Sequence, residues 1–240
     1  MSQSMENSPV KTSRWITACC AAALLGGTTY YFSNSDNAAI GIAHAAEGIA
    51  IAAPSVKITE GPSEQVAIFA GGCFWGVEGV FERIDGVIRV ESGYAGGSKS
   101  DANYDLVSDG RTKHAEAVRI VYDPTRVSYD TLLHVFFSVA HNPTELNRQG
   151  PDTGTQYRSA IFPDNAAQRD AATAYVTQLD RAKSWRTPIV TRIESGAFFS
   201  AEAYHQDYMA NNPNSGYIMR FDVPKVQALK QLFPNIYRGK

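Results

Sequence analysis

Val66-Ala67-Ile68-Phe69-Ala70-Gly71-Gly72-Cys73-Phe74-Trp75-Gly76-Val77-Glu78 is the stretch on which the fold turns. Val66–Ala70 is a short unbroken apolar run, the length of a buried strand. Gly71-Gly72 ends it with a hinge. Beyond Cys73, apolar residues fall at Val77, Val80, Phe81 and Ile84, which is helical spacing, and Asp85-Gly86 supplies a stop because glycine tolerates the left-handed cap. A cysteine is thus placed between a strand and a helix. A thiol at a helix start can become a low-pKa nucleophile, since the helix N-terminus favours negative charge.

Working outward, Val87–Val90 reads as the next strand, and Tyr94-Ala95-Gly96-Gly97 opens a loop rich in Gly, Ser, Asp and Asn that runs to about Lys113. His114–Tyr122 alternates strictly: His114, Glu116, Val118, Ile120 and Tyr122 share one face, and Ala115, Ala117, Arg119 and Val121 the other. Arg119 marks the second face as the wetter one at its end. Glu116 therefore sits with Val118 and Ile120, where burial would keep it protonated near neutrality. The alternative is a strand-end carboxylate that faces solvent or pairs with Lys113. Ser128 can cap a helix whose apolar positions are Leu132, Val135, Phe136 and Val139. A long polar loop follows from His141 to about Gln156. Tyr157–Phe162 and Pro188–Ile193 read as strands, and Asp164 to about Lys183 and Lys225–Phe233 as helices. Strands and helices intermix without regular alternation. The expected fold is α+β: a mixed β-sheet with packed helices, a two-layer ferredoxin-like sandwich with long loops.

Composition narrows the function. A formal net charge of −2 with no basic run in the body leaves no electrostatic footprint for nucleic acid. Three cysteines give no disulfide framework, and the absence of Cys-x-x-Cys together with five scattered histidines speaks against a metal site; no cofactor is expected. Residues 1–62 form an N-terminal segment ahead of a domain at 63–240. Lys11 and Arg14 precede an uncharged run, Trp15 to Phe32, which reads as an export signal or membrane anchor, with a cytoplasmic chain as the alternative. Cys19 and Cys20 lie inside this run as small apolar residues, and residues 33–62 read as a linker rich in Ala, Gly, Ser and Pro.

Several motifs occur together: Gly-Gly-Cys-Phe-Trp-Gly-Val-Glu at 71–78, Gly-Tyr-Ala-Gly-Gly at 93–97 and His-Ala-Glu-Ala-Val at 114–118. They continue through Tyr-Asp-Pro at 122–124 and Arg-Gln-Gly-Pro-Asp-Thr-Gly-Thr-Gln-Tyr-Arg-Ser at 148–159. In this order they resemble the class A peptide methionine sulfoxide reductases over about residues 64 to 211. The resemblance implies reduction of methionine S-sulfoxide, in proteins and free, through a cysteine sulfenic acid at Cys73. It implies Glu116 as proton donor and Tyr104 and Tyr157 as the phenols holding the sulfoxide oxygen. It further implies Asp152 as the acid that binds a water or the substrate end of the site, and Phe74 and Trp75 as the pocket for the sulfur-bound methyl. Family members often carry a resolving cysteine downstream; none follows Cys73 here. The resemblance then requires an external reductant, either a thioredoxin- or glutaredoxin-like protein or a small thiol such as glutathione. His141-Asn142-Pro143 has Asn where the family commonly shows Asp. Two rival readings are a Cys–His hydrolase or acyltransferase, using His114 or His205 as base, and a non-catalytic module that binds methionine-rich segments.

Overall fold

In the computed structural model, which describes residues 48–239, the apolar run becomes strand β1 (Gln65–Gly71), and the helix after Cys73 is α1 (Phe74–Phe81). Gly86, with φ +92°, makes the predicted stop. The chain returns as β2 (Val87–Ala95), longer than its sequence suggests, because Tyr94 and Ala95 stay paired before Gly96 turns away. A short helix α2 (Tyr104–Ser108) interrupts the glycine-rich loop, its first turn capped by the Asn103 side chain accepting from Leu106 N–H at 3.1 Å. Strand β3 (Ala115–Tyr122) then pairs antiparallel with both β1 and β2.

Helix α3 (Tyr129–Val135) is capped by Ser128, whose hydroxyl accepts from Thr131 N–H at 3.2 Å. It widens into a π-helical turn over Phe136–Ala140. A small hairpin, β4 (Arg148–Gln149) with β5 (Asp152–Thr153), occupies the predicted polar loop. The next strand is only β6 (Ser159–Ile161), because Thr155–Tyr157 winds into a 3-10 turn. Helix α4 (Ala166–Arg181) follows, then β7 (Arg192–Ile193), far shorter than the run from Pro188 suggests. Strand β8 (Phe198–Ser200), helix α5 (Tyr208–Asn211), a π-helical turn at Ile218–Asp222 and helix α6 (Val223–Leu232) complete the chain.

The six strands run β7-β6-β1-β3-β2-β8 in one sheet; only β6 and β7 pair in parallel. The central order β6-β1-β3-β2 is that of the split βαβ plan, with α1 crossing from β1 to β2 and α3 from β3 to β6. The α+β mixed sheet with packed helices is therefore the observed architecture. The predicted alternation of β3 sets the two faces. Val118, Ile120 and Tyr122 enter the main core with Phe69, Phe81 and Phe136, while Ala115 and Ala117 join a small cluster closed by Phe162 and Phe198. Arg119 lies farther along that second face, with its Nε donating to Glu91 at 3.1 Å.

The expected anchor or signal, Trp15 to Phe32, and Cys19 and Cys20 lie outside the described residues. Among the described residues no helix is long and apolar enough to cross a membrane. The later part of the stretch read as a linker is tied to the body. Ile49 N–H donates to the Ser138 carbonyl at 2.8 Å, Tyr175 O–H to the Ala52 carbonyl at 2.8 Å, and Tyr129 N–H to the Glu60 carboxylate at 2.9 Å. Composition could not reveal this, since each partner lies far away in sequence.

Candidate active site

Cys73 occupies the cap position of α1 and is buried, 8% exposed. The hinge before it is a packing requirement. Gly72 sits at φ +90°, and a Cβ there would lie 2.4 Å from Gln149 Cγ. Gln149 in turn accepts from Asn142 N–H at 2.9 Å and donates to the Asn142 carbonyl at 3.1 Å. The side chain thus pins the β4–β5 hairpin over the hinge, which carries Asp152 to the cysteine.

The first N–H of α1 is satisfied from across the sheet: Phe74 N–H donates to Glu116 Oε2 at 3.1 Å. Glu116 is buried at 2% exposure, on the face the alternation predicts, and makes no ion pair with Lys113. Burial, opposed by the Phe74 N–H and reinforced by Asp152, pushes its carboxyl up to about 8.

The expectation of a low-pKa thiol at the helix start is corrected here. Burial holds the Cys73 thiol well above its ordinary value, and the charges of Glu116, Asp222 and Asp152 add to it; only the Trp75 N–H on the sulfur works the other way. One backbone N–H does not offset the loss of water, which is the largest effect on the thiol.

Tyr104 starts α2, where its N–H donates to Glu202 Oε1 at 2.9 Å; the other Glu202 oxygen accepts from Tyr94 O–H at 2.8 Å. Tyr157 ends the 3-10 turn beside β6. Both phenols are pushed upward by burial and by the charges of Glu116, Cys73 and Asp152, so they remain neutral O–H donors. All five polar residues singled out in the sequence therefore share one electrostatic neighbourhood. Asp152, also raised by burial, accepts from Tyr217 O–H.

The Phe74 ring packs at 5.0 Å from that of His205 and 5.9 Å from Tyr94, and Trp75 stacks on Tyr208 at 3.8 Å with Tyr217 edge-on at 5.9 Å. These aromatics wall one side of the site. His205 fixes the indole by accepting Trp75 Nε1–H at its Nδ1 at 3.2 Å.

Sequence reasoning missed three residues of the C-terminal segment: Tyr217, Asp222 and Lys225. Asp222 and Lys225 form a buried ion pair at 3.2 Å, flush against α1: a Cβ on Gly76 would lie 2.0 Å from Asp222 Oδ1 and 2.9 Å from Lys225 Nζ. Their only sequence signal is a spacing of three on a helical stretch, which ordinarily marks a solvated face. Among the described residues no group of acidic, cysteine and histidine side chains is arranged to hold a metal.

The hydrolase alternative needs a free imidazole at the thiol. His114 spends both ring nitrogens on backbone, accepting from Gly97 N–H at 3.2 Å and meeting the Ser98 carbonyl at 2.9 Å, whereas His205 commits Nδ1 to the Trp75 indole and its buried Nε2 has no hydrogen-bond partner. The group set against the start of the cysteine's helix is a protonated carboxyl.

A buried thiol, a neutral carboxylic acid and neutral phenols on a mixed sheet define a cysteine-centred enzyme of the α+β class. The family model for peptide methionine sulfoxide reductase matches residues 65–235. Peptide methionine sulfoxide reductase MsrA 2 of Mesorhizobium japonicum is 58% identical over 180 residues, covering 75% of this chain and 92% of that protein. Among solved structures, methionine sulfoxide reductase A of Corynebacterium diphtheriae is 36% identical, covering 64% of this chain and 77% of its own, with a TM-score of 0.55. The reduced form of Mxr1 from Saccharomyces cerevisiae is 32% identical, covering 67% of this chain and 92% of its own, with a TM-score of 0.57. This chain belongs to the peptide methionine sulfoxide reductase family.

Proposed function

We propose that the chain reduces the S epimer of methionine sulfoxide to methionine, in proteins and as the free amino acid, in the repair of oxidative damage. The observation that carries the mechanism is Glu116, a buried carboxyl held neutral to about 8 at the start of the helix that bears the buried Cys73 thiol. Tyr104 and Tyr157 donate to the sulfoxide oxygen. Phe74 and Trp75 receive the sulfur-bound methyl, and Asp152 binds a water or the substrate end. A site that takes oxygen on one side and methyl on the other separates the two epimers.

Cys73 Sγ attacks the sulfoxide sulfur while Glu116 protonates the oxygen. The thiol proton leaves as the sulfur–sulfur bond forms, and the Glu116 carboxylate is placed to take it. A second protonation releases the oxygen as water. Water then attacks Cys73 Sγ, freeing methionine and leaving a sulfenic acid; in sum, one thiol and one sulfoxide give one sulfenic acid and one thioether.

No cysteine follows Cys73, so an external thiol attacks the sulfenic acid, releasing water, and a second thiol frees the resulting mixed disulfide. A thioredoxin- or glutaredoxin-like protein or glutathione supplies these thiols. The uncharged run Trp15 to Phe32 behind Lys11 and Arg14 supports export or membrane attachment, which fractionation of cells carrying the full chain tests. Activity is tested with the full chain, dithiothreitol and the two epimers of a methionyl sulfoxide peptide followed separately. The S epimer is consumed and the R epimer persists, and Cys73→Ser is inert. Consumption of R alone, or full turnover by Cys73→Ser, overturns the proposal.

A further inference from the structure

The segment after α5 brings a phenol that the proposed chemistry does not use. Tyr217 O–H donates to Asp152 Oδ2, and its ring stands edge-on to Trp75 at 86°. Asp152 lies on the two-residue strand β5, part of a hairpin with little regular pairing of its own. Gln149 fixes the hairpin's base; on the Asp152 side chain itself, Tyr217 O–H is the hydrogen-bond partner the structure gives. The carboxylate also faces Cys73, Glu116, Tyr104, Tyr157, Asp222 and Lys225, all but the last of which are neutral or acidic. Left alone among them it would turn away or take up a proton. From this geometry we infer that Tyr217 is a positioning residue, which holds Asp152 as a fixed acceptor facing the substrate while its ring closes the Trp75 wall.

The inference rests on the proposed reading that Asp152 binds the substrate end. One Asp152 oxygen is taken by Tyr217, and the other is left for the ligand. The phenol is itself pushed upward, by burial first, so it stays a donor throughout the working range. Its hydrogen bond lowers Asp152 against the effect of burial. Losing it moves Asp152 protonation upward.

Tyr217→Phe removes the donor and keeps the ring. Its kcat/KM for the S-sulfoxide peptide is compared with the unaltered chain across pH. The acid limb is expected to move upward by about one pH unit, with KM rising about tenfold and kcat within about twofold. In an Asp152→Asn background the same change should alter KM less than about twofold, because the two residues act as one unit. An unmoved acid limb, or an equal loss in both backgrounds, overturns the inference. If Tyr217→Phe does not fold, the hydroxyl proton of Tyr217 in the unaltered chain is the readout. A slowly exchanging downfield resonance that disappears in Asp152→Asn supports the inference, and its persistence there overturns it. Turnover of the S epimer by the unaltered chain is scored in the same assay, so failure of the underlying function is seen separately.

Discussion

Keeping Glu116 neutral has a cost in stability that can be measured directly. Its carboxyl rises from an ordinary 4.5 to about 8 on folding. A group whose folded value is raised contributes its stability fully below the unfolded value and loses it as pH climbs through the folded one. At ~1.4 kcal/mol for each tenfold step in acidity, the loss is about 3 kcal/mol at pH 7 and approaches about 5 kcal/mol by pH 9. Glu116→Gln keeps an oxygen for the Phe74 N–H and removes the ionisation. The variant should therefore gain on the unaltered chain as pH rises: no relative gain at pH 4, about 3 kcal/mol at pH 7 and about 5 kcal/mol at pH 9. Any constant difference from packing the amide does not change with pH and drops out. Urea unfolding of both chains at these three values gives the comparison, and other buried carboxyls such as Glu78, raised to about 8 by burial, cancel between them. The same variant should form sulfenic acid in a single turnover about 100- to 10,000-fold more slowly, the usual loss of a general acid. The unaltered chain should itself slow as pH passes about 8, where Glu116 loses its proton. Parallel stability curves for the two chains would refute the argument, because they would mean that Glu116 titrates alike folded and unfolded.

Three further outcomes follow from packing. Gly76→Ala drives a methyl into Asp222 and Lys225, and because breaking a buried pair costs about 3–5 kcal/mol, its denaturant midpoint should fall sharply. Asp222→Asn and Lys225→Met should each destabilise by about 3–5 kcal/mol while the double variant recovers most of the loss, since the stranded charge rather than the missing attraction dominates; a double-mutant cycle in urea reads this. Gly72→Ala meets both a positive φ and Gln149, so it should cost about 1–3 kcal/mol of stability in urea and raise KM by displacing the hairpin that bears Asp152.

Much of this arrangement was legible where chemistry is local. The apolar run, the glycine hinge and the 3.6-residue spacing place Cys73 between β1 and α1, and the two-residue alternation puts Glu116 on the core face of β3. Ser128 caps its helix as its residue type requires. What escaped depends on distant partners. Residues 49–60 have the composition of a linker, yet their hydrogen bonds go to residues such as Ser138 and Tyr175. Tyr217, Asp222 and Lys225 sit in a segment whose polar spacing looks solvent-facing, and only the closeness of Gly76 shows that it is buried. The run from Pro188 keeps just Arg192 and Ile193 in the sheet, since β7 pairs on one side only and lies at the edge. The raised thiol is not legible in the sequence, because helix position is visible there and desolvation is not.

The decisive measurement is intact-mass and peptide mass spectrometry after one turnover with the S epimer in the absence of reductant, using a trap for sulfenic acid. The account predicts one equivalent of methionine and one trapped oxygen-bearing sulfur, located at Cys73. Methionine formed with Cys73 unmodified, or with the oxidised sulfur elsewhere, would contradict it.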